Sequence, residues 1–273
     1  MQEVSVVIPN FNGMAYLDGV LSSLERQTIS NFEVILVDNG STDGSCAFVA
    51  AEYPWVHMIQ LPENYGFSRA VNEGIHAARS PYVLLLNNDT QVITVNWMEE
   101  LLMYAQRQDV GAVGGKLYYG DKTIQHAGVV IGLGAHRTAG HTHYRQKREN
   151  LGYMGRLCYA QDVSAVTGAC LMVKKALYEE AGGLDESFAV SLNDVDFCLK
   201  LREMGYLNVF TPFAELYHYE SISRGLDTDG AKAARYNEES AKFREKWKQL
   251  LEEGDPYYNP NFTLDKSDYS LRV

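Results

Sequence analysis

The chain is poor in cysteine, has no long apolar run and lacks an excess of basic residues, and each shortage removes a class of protein. Four cysteines stand among 273 residues, Cys46, Cys158, Cys170 and Cys198, and no two form a Cys-x-x-Cys pair. Such spacing suits neither a disulfide framework nor a zinc knuckle; it reads as free thiols in a reducing compartment. The longest mostly apolar stretch, Ala127 to Ala135, holds three glycines and is far too short to cross a bilayer. A strand-like run starts almost at the N-terminus, so no signal peptide is expected. The expected location is cytoplasmic or peripheral at the inner face of the cell membrane. Lys and Arg number 24 against 35 Asp and Glu, a formal net charge of −11. An acidic surface repels phosphate backbones, so nucleic acid is not expected as a partner. A local phosphate site stays open where a divalent cation brings positive charge. The chain also lacks a Gly-x-x-x-x-Gly-Lys-Ser/Thr loop, and no Gly-x-Gly-x-x-Gly turn follows its first strand. Both absences argue against a P-loop NTPase and a dinucleotide dehydrogenase.

What is present is ordinary globular chemistry, 46% hydrophobic and 22% charged, enough for one large core or two small ones. Apolar runs predict strands at Val4 to Ile8, Phe32 to Val37 and Tyr82 to Leu86, with a weaker one at Val56 to Leu61. Helical patterns at Met14 to Gln27, Ser45 to Tyr53 and Gly66 to Ala78 separate them. Strands nearly continuous in Val, Ile and Leu are buried on both faces, and strands alternating with helices imply a parallel α/β sheet. Later pieces are less regular: strands at Val110 to Lys116, Ala127 to Ile131 and Ala169 to Val173, and a short helix at Lys174 to Ala181. Residues 136 to 150, HRTAGHTHYRQKREN, read as a polar, basic, mobile loop. A helical segment from Ala231 to Glu253 places Tyr236, Phe243, Trp247, Leu250 and Leu251 near one face, and the tail DPYYNPNFTLDKSDYSLRV has no helical period.

Open α/β sheets bind ligands at the carboxyl ends of their strands, so the strand ends carry the functional reading. The first stops at PNFNG (9 to 13), the second at DNGSTDGS (38 to 45) and the Tyr82 strand at NNDT (87 to 90). The second loop suits a helix cap by Thr42 or Asp43, and Asp38 beside it could accept from a nucleobase N–H or a ribose hydroxyl. Asp89 is displayed where a ligand would sit; a strand-end carboxylate together with a diphosphate could hold Mn²⁺ or Mg²⁺. In NDVDF (193 to 197), Asp194 and Asp196 fall in the first turn of a helix, where the dipole favours anions and where Asn193 or Asp194 could simply cap. His218 could be a satisfied core histidine or a metal ligand. His136, His141 and His143 have no cysteine or carboxylate at zinc spacing and read as loop residues.

Taken together, VSVVIPNFNG, VILVDNGSTDGS, NYGFSRAVNEGI, YVLLLNNDTQV, TGACLMVKK, GGLDESF and NDVDFCLKLREMGY occur in this order. The whole resembles the family-2 glycosyltransferases, inverting enzymes of the GT-A fold, in the bacterial rhamnosyltransferase-like branch that builds surface polysaccharides. The resemblance implies a mostly parallel central sheet flanked by helices. It implies a GT-A domain over residues 1–225 and a C-terminal helix and tail, 226–273, packed on the same domain. It places Pro9, Asp38 and Arg69 around the base and ribose of a nucleotide-sugar. Asn87-Asn88-Asp89 falls on the Asp-x-Asp motif, so that Asn88 and Asp89 meet the donor and Asp89 binds Mn²⁺ or Mg²⁺. His218 stands where some members add a metal ligand, and Asp194 stands at the catalytic base of a Glu-Asp pair. Two positions depart from the pattern, Asn87 for aspartate and Asn193 for glutamate. The implied reaction moves a sugar from a UDP- or dTDP-sugar donor to a glycan or lipid-linked saccharide. A sugar nucleotidyltransferase and a catalytically silent nucleotide-sugar-binding module are the rival readings.

Overall fold

The computed structural model of the protein describes residues 3–219 and 230–272. Among these described residues twelve strands and eight α-helices follow in the order β1 (Val4–Asn10), α1 (Met14–Leu24), β2 (Phe32–Asn39), α2 (Ser45–Glu52), β3 (His57–Leu61), α3 (Phe67–Ala77), β4 (Tyr82–Leu86), β5 (Thr90–Val92), α4 (Trp97–Ala105) and β6 (Val110–Tyr118). Then come β7 (Ile124–His126), β8 (Val129–Ile131), β9 (Ala139–His141), β10 (Gln161–Val163), β11 (Cys170–Lys174), α5 (Lys175–Glu180), α6 (Asn193–Glu203), β12 (Leu207–His218), α7 (Gly230–Lys246) and α8 (Lys248–Glu253).

The main sheet runs β10-β12-β6-β11-β4-β1-β2-β3, with β5 added on β12 and β7 on β6. The half β4-β1-β2-β3 is parallel, β6 and β12 are parallel to each other, and β11 runs antiparallel between β4 and β6. Alternate residues of the parallel strands feed two cores, as the two-residue period of a strand requires. Val6, Ile8, Val34 and Leu36 pack with α1, α2 and α4 on one face. Val7, Ile35 and Val37 pack with α3 on the other face, in a core that also takes in α5, α6, Phe243 and Trp247. The C-terminal segment is fastened to the rest: the amide of Ile131 donates to Asp255 (2.7 Å), and Tyr258 and Tyr269 pack on Val130 and Leu133.

Segment 136–150 differs from the loop expected of it. It supplies β9, which pairs with β8 through Val129 opposite His141. The Thr142 hydroxyl donates to the Ala127 carbonyl (2.6 Å), the His143 amide to Ser267 (2.6 Å) and the Arg145 amide to Ile124 (2.8 Å). Thr138, Thr142 and His143 are buried. Polar composition misled here because the buried side chains of Thr142 and His143 are bonded to backbone groups, the Ala127 carbonyl and the Tyr153 amide, rather than to water. The helix expected from Ala231 to Glu253 is broken at Trp247, which separates α7 from α8.

Candidate active site

Parallel pairing in register brings the strand ends together: Asn10 lies opposite Asp38, and Asp38 opposite Gln60. Pro9 stands one residue earlier, half-buried opposite Val37. Asn10, 1% exposed, is the hub of this end. Its Nδ2 donates toward Asp38 Oδ1 (3.0 Å), Ser45 Oγ (3.1 Å) and Ser41 Oγ (3.2 Å), and its Oδ1 accepts from Asn88 Nδ2 (2.8 Å). One side chain therefore ties β2 to the end of β4. Gly13 makes room for this bond. A Cβ there would stand 2.1 Å from Asn88 Nδ2 and 2.3 Å from Asn10 Oδ1, so a larger residue would break it. Asp43 joins two helices: Oδ2 accepts the first amide of α1, at Met14 (2.9 Å), and Oδ1 the first amide of α2, at Ser45 (3.1 Å). Burial pushes its carboxyl up, but the bonds from Ser45 and Met14 outweigh that and hold it below the ordinary range.

Asp38 is enclosed at 3% exposure. Besides Asn10 it accepts from the Ser41 amide (3.0 Å). The Cys46 thiol is pushed up to about 11, first by burial and next by its bond to Asp38. Asp38 therefore organises its own loop. Arg69 sits apart, exposed on the first turn of α3, with its guanidinium 4.2 Å from the Tyr65 ring centroid and 3.8 Å from Glu73. Asn39 positions that turn, accepting from the Tyr65 amide (2.9 Å) and donating to the Gly66 carbonyl (3.0 Å).

The end of β4 meets the end of β12. Asp89 and His218, each 6% exposed, approach to 3.1 Å between Oδ1 and Nε2. Pairing of Thr90 with His218 sets this register, and the Tyr219 amide donates to the Asp89 carbonyl (2.9 Å). The negative charge reaches Tyr16, whose phenol is pushed up by burial and then by Asp89. His218 Nδ1 lies 2.7 Å from Gln125 Oε1. An amide oxygen only accepts, so Nδ1 carries a proton, and in the neutral ring Nε2 turns its lone pair toward Asp89. Asn87 Nδ2 stands 3.1 Å from the same Nε2, and its Oδ1 is buried with no hydrogen-bond partner among the described residues.

Two acceptors 3.1 Å apart are complementary to a cation. Ligands about 2.1 Å from an octahedral Mg²⁺ stand about 3.0 Å apart at adjacent vertices. Among the described residues no group of three or more His, Cys, Asp or Glu side chains is placed to hold a metal. Asp89 and His218 could therefore hold a divalent cation only with further ligands from outside this pair. Gln125 supplies the outer contact that fixes the imidazole tautomer.

Asp194 lines a cleft of about 290 Å³, which His218 and Asn87 also line. It occupies the first turn of α6, after Leu192 in the left-handed region (φ 62°). Its Oδ2 accepts from the Gly168 amide (2.8 Å), and a Cβ at Gly168 would lie 3.2 Å from its Cβ. Asn193 does not orient it: the Asn193 amide donates instead to Val190 O (3.2 Å) and Phe188 O (3.4 Å). Asp196 faces the core, fully buried, against Lys246 Nζ (2.7 Å) and Trp247 Nε1 (2.9 Å). The loop ahead of α6 hangs on α7, because the Glu239 carboxylate accepts from the Val190 (3.2 Å) and Ser191 (2.9 Å) amides.

The structure thus brings Asn88, Asp89 and His218 to one end of the sheet, places Asp194 in the cleft that His218 also lines, and leaves Arg69 exposed beside Tyr65 and Glu73. Asn10, Gln125, Gly168 and Glu239 were not anticipated as site residues. Asn10 and Gly13 lie inside the quoted PNFNG, so a signal was there. The other contacts join elements remote in sequence. The histidines of segment 136–150 scatter: His136 packs edge-on to Tyr236, His143 is buried against Tyr269, and His141 lines the cleft.

Known proteins share this architecture. An archaeal mannosyltransferase from Pyrobaculum calidifontis, solved with GDP-mannose and Mn²⁺, matches over 91% of this chain and 64% of its own, with a TM-score of 0.64 at 18% identity. The GalNAc-T7 structure with UDP, GalNAc and Mn²⁺ matches over 92% of this chain and 49% of its own, with a TM-score of 0.71 at 15% identity. The fold is GT-A. In sequence, an uncharacterised protein of Sinorhizobium fredii, y4gI, is 41% identical over 98% of the chain, and the O-antigen biosynthesis protein RfbC of Myxococcus xanthus is 35% identical over 99%. The chain spans 30% and 21% of the lengths of those two relatives. An N-acetylglucosaminyl-diphospho-decaprenol L-rhamnosyltransferase of Mycobacterium tuberculosis is 29% identical over 85% of the chain and 80% of its own length. Residues 5–182, more than half of the chain, match the model described as Glycosyl transferase family 2; with that match and the M. tuberculosis relative, the chain belongs to glycosyl transferase family 2.

Proposed function

We propose that this chain is an inverting glycosyltransferase that uses a divalent cation, takes a UDP- or dTDP-sugar as donor and transfers the sugar to a lipid-linked saccharide in surface-polysaccharide synthesis. The observation that carries the reading is that Asp194 lines the same cleft as His218, whose Nε2 lies 3.1 Å from Asp89. Inversion needs a base on the face of the sugar opposite the departing diphosphate, and Asp194 on α6 and Asp89 after β4 come from separate elements. Asp194 would take the proton of the acceptor hydroxyl as it attacks the anomeric carbon. The Gly168 amide holds one of its oxygens in place. Asp89 and His218 would hold Mn²⁺ or Mg²⁺, which when bound neutralises charge on the leaving diphosphate. Pro9, Arg69 and the Asn10-organised loop around Asp38 would form the nucleotide end, with Asn88 between that end and the cation. The acceptor class follows the printed name of the M. tuberculosis relative. Among the described residues no helix is long and apolar enough to cross a membrane.

The test is nucleoside diphosphate release across a panel of UDP- and dTDP-sugars with Mn²⁺. Asp194→Asn keeps the shape and removes the basicity, so transfer should fall roughly 10²–10⁴-fold with donor affinity unchanged. Release of pyrophosphate would indicate a nucleotidyltransferase instead, and binding without release a silent module. Near-normal turnover in Asp194→Asn would show that another group is the base.

A further inference from the structure

Exposed apolar side chains are not spread evenly over the molecule. Among the described residues twelve large hydrophobic side chains are exposed, and five of them, Tyr144, Leu151, Tyr153, Met154 and Tyr159, fall within residues 144–159. Single apolar groups are ordinary on a surface, whereas a cluster marks a contact. At its centre is a small closed loop. The Leu157 amide donates to the Leu151 carbonyl (2.9 Å), so the two ends meet, and the Gly155 amide closes a turn onto the Gly152 carbonyl (3.1 Å). Gly152, Met154 and Gly155 take left-handed φ values of 77°, 54° and 75°. That φ is strained for methionine, and Met154 is 80% exposed, with Leu151 at 65%. The base of the loop is held firmly. The Tyr153 ring stacks on Tyr269 (5.6 Å between centroids) and meets Phe262 edge-on (5.0 Å), and the Tyr153 amide donates to Nε2 of buried His143 (3.4 Å). The charge of this stretch also runs against that of the chain. Residues 144–159 carry Arg145, Lys147, Arg148 and Arg156 against Glu149 alone, in a chain of net charge −11. Arg145 is paired with Asp121 (3.0 Å) and Arg148 with Glu215 (3.0 Å). Lys147 stays exposed, exposed Lys122 is brought near it by the pairing of Thr123 with Lys147, and Arg156 lies over the Tyr269 ring.

We propose that this loop is a membrane-contact element: Leu151 and Met154 enter the interfacial region of a bilayer while Lys122, Lys147 and Arg156 meet the headgroups of anionic lipids. A tip of two apolar side chains is too small for a stable protein interface, which takes about 800 Å² from each partner. It suits a fluid surface that closes around it, and basic residues beside an apolar tip add the electrostatic part of such binding. Because the chain as a whole is acidic and is repelled by an anionic surface, its net-basic stretch selects the face that approaches. The link to function rests on the transferase reading given above. Strand β9 lines the cleft, and His143, two residues beyond it, holds the loop. Lipid contact there would bring the cleft toward the surface in which a lipid-linked acceptor is embedded. The lipid contact itself does not depend on that reading.

Co-sedimentation with vesicles tests the contact on the protein without donor or acceptor. The wild type should bind vesicles of phosphatidylcholine mixed with phosphatidylglycerol more tightly than vesicles of phosphatidylcholine alone, and the difference should shrink as salt is raised. The double variant Leu151→Ser, Met154→Ser should weaken binding to the anionic vesicles roughly 10- to 100-fold, and Lys147→Gln roughly 5-fold. Met103→Ser removes a comparably exposed side chain from α4 and should bind as the wild type does. Met154→Trp should tighten binding, since tryptophan favours the interface, a gain that a damaged fold cannot produce. A wild type that sediments with neither vesicle, or a double variant that sediments as well as the wild type, overturns the inference. So does a wild type whose dimers fall apart in the double variant, which would assign the tip to a second copy of the chain. A wild type that binds anionic vesicles but releases no nucleoside diphosphate with any donor refutes the proposed activity and leaves this inference standing.

Discussion

Replacing Asp38 separates a carboxylate that holds the strand ends from one that reads the nucleotide. Its Oδ1 takes the Asn10 amide and its Oδ2 the Ser41 backbone amide, each at 3.0 Å. A hydrogen bond to a charged group contributes about 1.5–3 kcal/mol, and a buried donor left alone costs about 1–3 kcal/mol. The Ser41 amide can find water because Ser41 is half-exposed, whereas Asn10, at 1% exposure, keeps only the Ser45 and Ser41 hydroxyls in place of the charged acceptor. Asp38→Ala should therefore destabilise the protein by about 2–4 kcal/mol, a fall in Tm of roughly 4–16 °C for a chain of this size. Asp38→Asn should recover little, because its amide faces one of the two donors with a third donor. Calorimetry of the protein without ligand gives the stability loss, and titration of UDP or dTDP with Mn²⁺ below the transition gives the affinity. The expected result couples the two: weaker nucleotide binding accompanied by lower Tm. A variant with unchanged Tm and a Kd raised roughly 5- to 150-fold, equivalent to about 1–3 kcal/mol, would show that Asp38 contacts the nucleotide directly and that the loop argument is wrong.

Asp89→Ala should abolish Mn²⁺-dependent binding of nucleoside diphosphate while the far-ultraviolet dichroism stays native, and unchanged Mn²⁺ dependence would remove Asp89 from the metal site. His143 gives a pH dependence of known sign. Burial, followed by Arg156 and Lys116, pushes its imidazole down to about 4, whereas an unfolded histidine titrates near 6.5. Between those values the unfolded chain binds more protons than the folded one, so stability is full above pH 6.5 and falls as pH drops toward 4, by an amount of order 3 kcal/mol. Urea midpoints at pH 7.5 and pH 5 should converge in His143→Phe relative to the parent. An identical pH dependence in the two proteins would place the acid sensitivity elsewhere, with buried His126 the next histidine to test.

The parallel half of the sheet was legible because Val6, Val7, Ile8 and their counterparts in β2 and β4 are apolar in succession, which only strands covered on both faces require. Their ends were legible for the same reason, since a polar cluster closing such a run has to be displayed. From β7 to β10 only β8 was legible, inside the run Ala127 to Ile131. Each of these strands is three residues long, too short for a period, and β10 is held by β12, about fifty positions on. His126 illustrates the limit: in TIQHAGVV it follows Gln125 at the head of an apolar run, and its meaning depends on its hydrogen bond with His141, fifteen positions on. Asp194 could be named from its motif, but its orienting group could not. Asn193 is adjacent in sequence and bonds elsewhere, while Gly168 is twenty-six positions away and makes the contact.

The fastening of the α6 entrance to the C-terminal helices sets an order of assembly during synthesis. The ends of β1, β2 and β4 need only residues up to about Asp89, whereas the loop holding Asp194 waits for Glu239, and buried Asp196 waits for Lys246 and Trp247. At about 5–20 residues per second the interval between Asp89 and Trp247 lasts roughly 8–30 s. A nascent chain therefore passes through a stage in which the donor end can form while the wall that bears the base has no support. Chains arrested on the ribosome short of residue 239 should resist proteolysis across β1 to β4 and be cut near Val190. Equal protection of both regions would show that the entrance to α6 closes without its C-terminal clamp.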